Sequence, residues 1–180
     1  MMSETYKMKI AGLDRELKKF PVNDKLDIAA FILFGDVEVT VAAATELLKV
    51  VPEFDYILTP EAKSIPLAYE MSRQCGKPYI VARKGVKVYM DNPVGVSVRS
   101  ITTNKEQNLF IGSDDANIMA GKRVLIVDDV ISTGESLAAI QELSNRAGAI
   151  TVASCAVLAE GDAADRDDII FLHKLPLFFK

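Results

Sequence analysis

Apolar residues along the chain follow helical and strand-like patterns in alternation. Residues 39–51 repeat apolar positions about every 3.6 residues and predict a helix that Pro52 ends, and two further helices are predicted over 65–75 and 135–147. Short, mainly apolar runs predict buried strands at 54–58, 77–81, 124–127, 151–158 and 169–172. The alternation predicts an α/β fold with a central, mostly parallel sheet flanked by helices, because helical crossovers join parallel strands.

The remaining segments are less regular. Residues 6–10 suggest a short strand, 13–20 are charged and amphipathic, and 26–34 are strongly apolar, so residues 1–35 are interpreted as an N-terminal appendage. Alternating positions between 88 and 111 surround a polar stretch and predict a hairpin-like arm with a polar tip. Residues 162–168 are interpreted as a solvated loop, and the apolar end LPLF must be covered by the fold or by a partner subunit.

Composition narrows the class of protein. At 180 residues the chain is most simply one domain, 1–180. A net charge of −4 argues against a nucleic-acid partner, and no apolar run approaches the roughly 20 residues that a membrane span requires. Two cysteines without a CxxC spacing favour a reducing, cytoplasmic location. The single histidine, His173, nearly excludes a histidine-based metal cluster or a Ser/His triad.

The most informative stretch is 123–136, RVLIVDDVISTGES. A buried strand leads into the acidic pair Asp128 and Asp129, and a small-residue turn then opens a helix. In open α/β sheets ligands bind at the carboxyl ends of the strands, and a helix N-terminus favours an anion such as phosphate. Carboxylates for sugar hydroxyls beside a cradle for phosphate suggest a phosphorylated sugar. The alternative is an ordinary strand-to-helix connection in which Ser or Thr only caps the helix.

Residues 124–136 closely resemble the thirteen-residue signature of the type I phosphoribosyltransferases. The resemblance implies that Asp128 and Asp129 contact the ribose 2′ and 3′ hydroxyls of phosphoribosyl pyrophosphate. It also implies that the following turn wraps the 5′-phosphate, with the residues Ser132, Thr133, Gly134, Glu135 and Ser136. Glu135 departs from the family, in which many members have Gly, and fits only if its backbone N–H faces the phosphate while its side chain points to solvent.

A second polar loop, residues 61–64, follows the strand at 54–58. A lysine and backbone amides at a helix N-terminus form an anion site, although the loop could be no more than the start of a helix. The sequence Glu61, Ala62, Lys63, Ser64 resembles the pyrophosphate loop of the adenine and xanthine phosphoribosyltransferases. That loop often carries a non-proline cis peptide in the family, and the sequence leaves open whether this chain has one.

Three cations, Arg83, Lys84 and Lys87, follow the strand at 77–81. Such a group is usually a solvated surface, but here it lies at the same sheet edge as both loops, which favours phosphate contacts. An Arg-Lys pair at this point is similar to the family, where these side chains bind pyrophosphate, sometimes that of the neighbouring subunit. The resemblance therefore implies a homodimer.

The family resemblance also implies the reaction, which is transfer of the 5-phosphoribosyl group to a purine nitrogen with release of pyrophosphate. Mg²⁺ would be held mainly by oxygens of the donor, with Asp128 as a possible direct ligand, and Asp129 is the acid/base candidate. The expected fold is that of the type I phosphoribosyltransferases, with a small N-terminal hood over the base and a flexible β-arm that closes over the substrate.

Adenine is the preferred base, and xanthine or hypoxanthine/guanine are the alternatives. Phe31, Phe34 and Ile131 are candidates for contacts with the base, although at the two phenylalanines a plain core role is favoured over a ligand contact. A non-catalytic regulator that senses phosphoribosyl pyrophosphate has the same signature and stays open, although only about 25 residues precede the apolar segment at 26–34, which is short for a DNA-binding domain. A structural αβ domain without a ligand would leave three anion-binding loops on one edge unexplained.

Overall fold

The computed structural model describes residues 4–99 and 106–180. In chain order, the strands are β1 (Thr5–Ile10), β2 (Leu13–Asn23), β3 (Leu26–Ala29), β4 (Tyr56–Pro60), β5 (Tyr79–Ala82), β6 (Val94–Arg99), β7 (Glu106–Ile111), β8 (Arg123–Ile131), β9 (Ile150–Glu160), β10 (Ile170–Leu175) and β11 (Phe178–Phe179). The helices are α1 (Val37–Val50), α2 (Ile65–Cys75), α3 (Ser113–Met119) and α4 (Glu135–Arg146), and a short 3-10 helix spans Gly161–Asp165.

Five parallel strands form the central sheet in the order β10, β9, β8, β4, β5. Residues 124–127 of β8 are completely buried because both faces of the sheet are covered. Leu125 and Val127 pack with residues of α1 and α2, whereas Val124 and Ile126 pack with residues of α3 and α4. The predicted α/β fold with helices on a parallel sheet is therefore confirmed.

An antiparallel sheet, which we call the hood, forms the N-terminal part in the order β1, β2, β3, β11. Its fourth strand comes from the C-terminus, where the Phe178 ring contacts the Tyr6 ring with centroids 5.1 Å apart and lies 4.2 Å from Lys19 Nζ. The hood confirms the predicted N-terminal element. At the apolar C-terminus, Phe178 packs against the hood, whereas Phe179 is 77% exposed. The charged, amphipathic segment 13–20 forms most of β2, and the strand continues through Pro21 with a register shift.

The predicted arm is the antiparallel pair of β6 and β7, in which Val94 lies opposite Ile111. Val96, Leu109 and Ile111 pack in the same core as α4. The backbone of Arg83 bonds to that of Phe110 and fastens the arm to the end of β5. The predicted polar tip, 100–105, lies outside the described residues.

Two short helices were not expected from the sequence. The seven-residue α3 buries only Ala116 and Met119, which is too little to produce a helical period. The segment predicted as the loop 162–168 begins within the 3-10 helix, where Ala163 is buried. In the part of the chain that the structure describes, no helix is both long and apolar enough to cross a membrane.

Candidate active site

A cavity of about 630 Å³ opens at the carboxyl edge of the central sheet. Segments that are far apart in sequence surround it: the loop after β4, the segment after β5, one strand of the arm, the end of β8 and the start of α4. The lining residues are Pro60, Glu61, Ala62, Lys63, Ser64, Lys84, Gln107, Asn108, Leu109, Asp128, Asp129, Val130 and Ser136. The fold thus brings the acidic pair and the 61–64 loop into one cavity.

The acidic pair lies within β8 rather than after it, because the strand continues to Ile131. Only 5% of the Asp129 side chain is exposed, and its Oδ2 lies 2.8 Å from Lys63 Nζ. The backbone N–H of Asp129 donates to Asp128 Oδ1 at 2.8 Å. Burial and the neighbouring charge of Asp129 raise the pKa of Asp128 above its usual range. Ionised Asp128 therefore favours an incoming cation or hydroxyl donor.

The loop 61–64 connects β4 to α2, and its Glu61–Ala62 peptide bond is cis. Ser64 is buried, and its hydroxyl donates to the Pro60 carbonyl at 3.0 Å. The Thr59 hydroxyl lies 2.8 Å from both Ser64 Oγ and the carbonyl of Val127, which links the loop to β8. Since the Ser64 hydroxyl is used inside the loop, Lys63 and the backbone are the groups that this loop presents to the cavity.

The three cations after β5 do not act as one group. Arg83 Nε donates to Glu61 Oε2 at 3.1 Å, and its Nη1 contacts the hydroxyl of Tyr89. The backbone N–H of Lys84 donates to the same Glu61 oxygen at 3.0 Å. Arg83 holds the pKa of Glu61 below its usual range. Of the three cations, only Lys84 lines the cavity, and Arg83 and Lys87 are not among its lining residues.

The small-residue turn after β8 lines a second, narrow cavity of about 40 Å³, together with Ile131 and the start of α4. The residue before α4 is Gly134, with φ +82°, so no side chain caps the helix and its first N–H groups remain for a ligand or water. The exposed Ser136 donates to Gln107 Oε1 of the arm at 2.9 Å. Glu135 is half-buried at the first position of α4.

Sequence reasoning missed several residues that lie at the site. Gln107, Asn108 and Leu109 of β7 line the main cavity. Arg166, from the connection between β9 and β10, places Nη1 only 2.6 Å from where a Cβ on Gly134 would lie. No local motif marks these residues, because strand pairing and loop packing alone bring them to the sheet edge.

The three candidates for base contacts lie in different places. Phe31 is buried in the core that the hood shares with α1, and the side chain of Phe34 is 55% exposed. Neither phenylalanine is among the residues that line the two cavities. Ile131 is buried and lines the narrow cavity.

The acidic pair offers two carboxylates, which are too few to hold Mg²⁺ without further oxygen ligands. Among residues 4–99 and 106–180, no group of three or more His, Cys, Asp or Glu side chains could hold a metal ion by itself. Asp128 and Asp129 supply two carboxylates to the cavity. Mg²⁺ is commonly bound through one or two carboxylates together with substrate phosphates, so the donor set fits a metal that arrives with a phosphorylated substrate.

Comparison with known proteins identifies the family. The model of the phosphoribosyl transferase domain matches residues 40–175, which include the 61–64 loop, the acidic pair and the turn before α4. The chain belongs to the phosphoribosyl transferase family. The resemblance to the type I phosphoribosyltransferases is therefore confirmed, and the chain is a transferase of this family.

The related proteins lie on the purine side of the family. Hypoxanthine/guanine phosphoribosyltransferase of Methanococcus voltae is 30% identical over 146 residues, which are 81% of this chain and 72% of that protein. The purine biosynthesis transcriptional repressor PurR of Bacillus subtilis is 29% identical over 63% of this chain and 39% of its own length. The crystal structure of adenine phosphoribosyltransferase from Thermoanaerobacter pseudethanolicus has a TM-score of 0.73 at 21% identity, covering 88% of this chain and 95% of that one.

Proposed function

We propose that this protein transfers the 5-phosphoribosyl group of phosphoribosyl pyrophosphate to a purine base and releases pyrophosphate. The observation that carries the proposal is the single cavity in which Lys63 and Asp129 lie 2.8 Å apart. One wall offers carboxylates to a sugar, and the other offers a cation and backbone groups to a pyrophosphate. The narrow cavity before α4 is the matching place for the 5′-phosphate.

Each part of the donor has a counterpart in this arrangement. Asp128 and Asp129 would accept hydrogen bonds from the ribose hydroxyls and favour the positive charge that develops on the ring. Asp129 is the candidate for accepting the proton that the base loses. Lys63 and Lys84 would neutralise the leaving pyrophosphate, with Arg83 and Lys87 as secondary cations.

The 5′-phosphate would be held by the turn before α4. Its proposed contacts come from Ser132, Thr133, Gly134, Glu135 and Ser136. A magnesium ion carried by the donor would add charge neutralisation at the pyrophosphate, with Asp128 as its possible protein ligand.

The base is proposed to be adenine, and hypoxanthine or guanine is the second candidate. Similarity to the solved adenine phosphoribosyltransferase in overall fold supports adenine. Sequence identity to the hypoxanthine/guanine enzyme of Methanococcus voltae favours the 6-oxopurines. Xanthine stays behind both. Of the three candidates for base contacts, only Ile131 lines one of the two cavities.

A regulator that binds phosphoribosyl pyrophosphate without catalysis is the alternative, and the identity with the PurR repressor keeps it in view. The contact of the arm with the start of α4, through Gln107 and Ser136, favours the enzyme, because an arm over the cavity can exclude water and so protect a reactive donor from hydrolysis. A homodimer and a cytoplasmic location also remain predictions.

One assay tests the proposal. The protein is mixed with phosphoribosyl pyrophosphate, Mg²⁺ and adenine, hypoxanthine, guanine or xanthine in turn, and pyrophosphate release is followed. Turnover with adenine and none with the other bases would support the full proposal, whereas turnover with a 6-oxopurine would correct the base. Tight binding of the donor without turnover would favour the regulator, and absence of donor binding would overturn both.

A further inference from the structure

One cation, Lys63, acts on three carboxylates at the end of the central sheet. Its ammonium lies 2.8 Å from the carboxylate of Asp129, and its charge also acts on Asp128 and on Glu160 at the end of β9. Both Asp128 and Glu160 have a raised pKa, for which burial is the largest cause. Lys63 is thus a cation that compensates several buried or half-buried carboxylates at once.

The contact between Lys63 and Asp129 is ionic without being a well-aligned hydrogen bond. Asp129 Oδ2 is buried, and none of the described residues donates an aligned hydrogen bond to it. A buried carboxylate oxygen that lacks an aligned donor is an unfavourable arrangement, which a ligand hydroxyl can correct. Lys63, in contrast, is 52% exposed and can reorient at little cost.

The proposed function assigns these two residues to different parts of the donor. Asp129 would receive the ribose hydroxyls, and Lys63 would receive the pyrophosphate. In the structure the two residues instead form an ion pair with each other. Both assignments hold together only if the ion pair opens as the substrates bind.

We propose that Lys63 is a positioning residue that exchanges its partner from Asp129 to pyrophosphate, and that this exchange couples pyrophosphate binding to ribose binding. The inference rests on the proposed function. Pyrophosphate that attracts Lys63 leaves Asp129 free for the ribose, and a ribose that occupies Asp129 leaves Lys63 free for pyrophosphate. By linkage, each ligand therefore strengthens the binding of the other.

The exchange predicts opposite effects of one substitution on two ligands. In Lys63→Gln, Asp129 has lost its competing partner, so a purine nucleoside monophosphate binds about two- to fivefold more tightly than to the wild type, the range for release of a partly exposed ion pair. Inorganic pyrophosphate with Mg²⁺ binds more weakly. Titration calorimetry with AMP, IMP and pyrophosphate measures both changes on the full chain.

Two controls separate the exchange from a general change of charge. Lys84→Gln removes the same charge from the same cavity without touching Asp129, so it weakens pyrophosphate binding and does not tighten the monophosphate. A 2′,3′-dideoxynucleoside monophosphate lacks the hydroxyls that Asp129 would accept. Lys84→Gln measures the general effect of removing one positive charge from the cavity. After correction for that effect, the wild type and Lys63→Gln should bind the dideoxy ligand with the same affinity.

The outcomes distinguish a failure of the partner exchange from a failure of the proposed function. Weaker or unchanged binding of the monophosphate to Lys63→Gln, while the wild type binds both ligands, would overturn the exchange and leave the proposed function intact. A wild type that binds neither AMP, IMP nor pyrophosphate would overturn the proposed function itself. Tighter monophosphate binding that persists with the dideoxy ligand would also overturn the exchange, because the ribose hydroxyls would then not be its cause.

Discussion

The guanidinium of Arg83 lies against the carboxylate of Glu61, with Arg83 Nε 3.1 Å from Glu61 Oε2. This pair joins two loops that the sequence places 22 residues apart and that the proposed function assigns to the same pyrophosphate. The same oxygen also accepts the backbone N–H of Lys84. Glu61 therefore organises the cation-bearing segment, and its own negative charge is neutralised before an anion arrives.

The first prediction concerns this pair. Glu61→Ala removes the acceptor for both Arg83 and the Lys84 backbone, so we expect the KM for phosphoribosyl pyrophosphate to rise about tenfold, the scale of one charge-assisted hydrogen bond. Glu61→Gln retains an acceptor oxygen and should lie between the wild type and Glu61→Ala. Steady-state kinetics at saturating base measures the effect.

Glu53→Ala is the matched control for Glu61→Ala. Glu53 also pairs with an arginine, Arg123, at 3.1 Å, but it is exposed and lies outside the cavity lining. Its replacement should leave the KM unchanged. A KM that falls in Glu61→Ala would contradict the prediction, because it would mean that Arg83 binds pyrophosphate better once it is released.

The second prediction concerns the burial of the Asp128 carboxylate and its repulsion by Asp129. The pKa of Asp128 is raised in the folded protein, so the folded state binds a proton more tightly than the unfolded chain does, and ionisation lowers stability as the pH rises. Asp128→Asn should therefore increase the free energy of unfolding of the unliganded protein by about 1 kcal/mol at pH 8, and by less at pH 5. Urea unfolding at both pH values measures it.

The same Asp128→Asn protein should lose activity while it gains stability. We expect kcat/KM to fall about 100-fold, because the charge that favours the transition state is gone. Asp167→Asn, at an exposed position, serves as the control and should change neither quantity. A variant that is less stable than the wild type at pH 8 would show that the Asp128 carboxylate is stabilised, not strained, by its surroundings.

The third prediction uses the only histidine of the sequence. His173 Nε2 of β10 accepts the backbone N–H of Ala11, in the turn of the hood, at 2.9 Å. Burial lowers the pKa of His173, and the protonated ring cannot accept this bond. The contribution to stability is therefore complete above the unfolded pKa of about 6.5 and is lost as the pH falls through the folded value.

Unfolding between pH 7.5 and 5.5 tests the histidine contact. The wild type should lose about 1 kcal/mol more than His173→Phe over this range, because the substituted ring has no proton to gain. The protection factor of the Ala11 amide, which corrects for the slower intrinsic exchange at low pH, should fall at the lower pH in the wild type alone. Equal pH slopes in the two proteins would show that protonation of His173 does not loosen the hood.

The fourth prediction concerns Gly134 in the turn before α4, which is the proposed phosphate site. A Cβ at this position would meet Arg166 Nη1 at 2.6 Å, and the backbone has φ +82°. Gly134→Ala should therefore lower the free energy of unfolding by about 1–2 kcal/mol for the backbone alone and by more for the clash. Binding of ribose 5-phosphate should weaken as the turn shifts.

Gly76→Ala isolates the backbone part of that effect. Gly76 has a similar φ of +72°, with nothing within 4 Å of its Cβ position. The double variant Gly134→Ala, Arg166→Ala should recover the difference between the two single glycine substitutions, but not the backbone strain itself. If Gly134→Ala costs no more than Gly76→Ala, Arg166 yields freely and the contact carries no constraint.

Local patterns in the sequence predicted much of the fold and part of the site. The apolar run 124–127 indicated a strand covered on both faces, and it is buried between two helical layers. The acidic pair and the glycine before α4 marked the proposed sugar and phosphate positions because these groups follow one another on a single strand-turn-helix unit. Periodicity could not reveal α3, which buries too few side chains to establish a period.

Contacts between distant segments were decided by the tertiary structure. Chain order gives β4, β5 and then β8, yet β8 lies beside β4, and this neighbourhood brings Lys63 to Asp129. The arm reaches the cavity because β7 bonds to the end of β5, and the C-terminal β11 completes a hood that begins at the other end of the chain. The sequence by itself indicated most of the strands and long helices and the candidate anion-binding turns, because each reports the burial and backbone preferences of its own residues. Only the tertiary structure decided which charges meet, because strand order and pairing depend on how all the buried faces pack together.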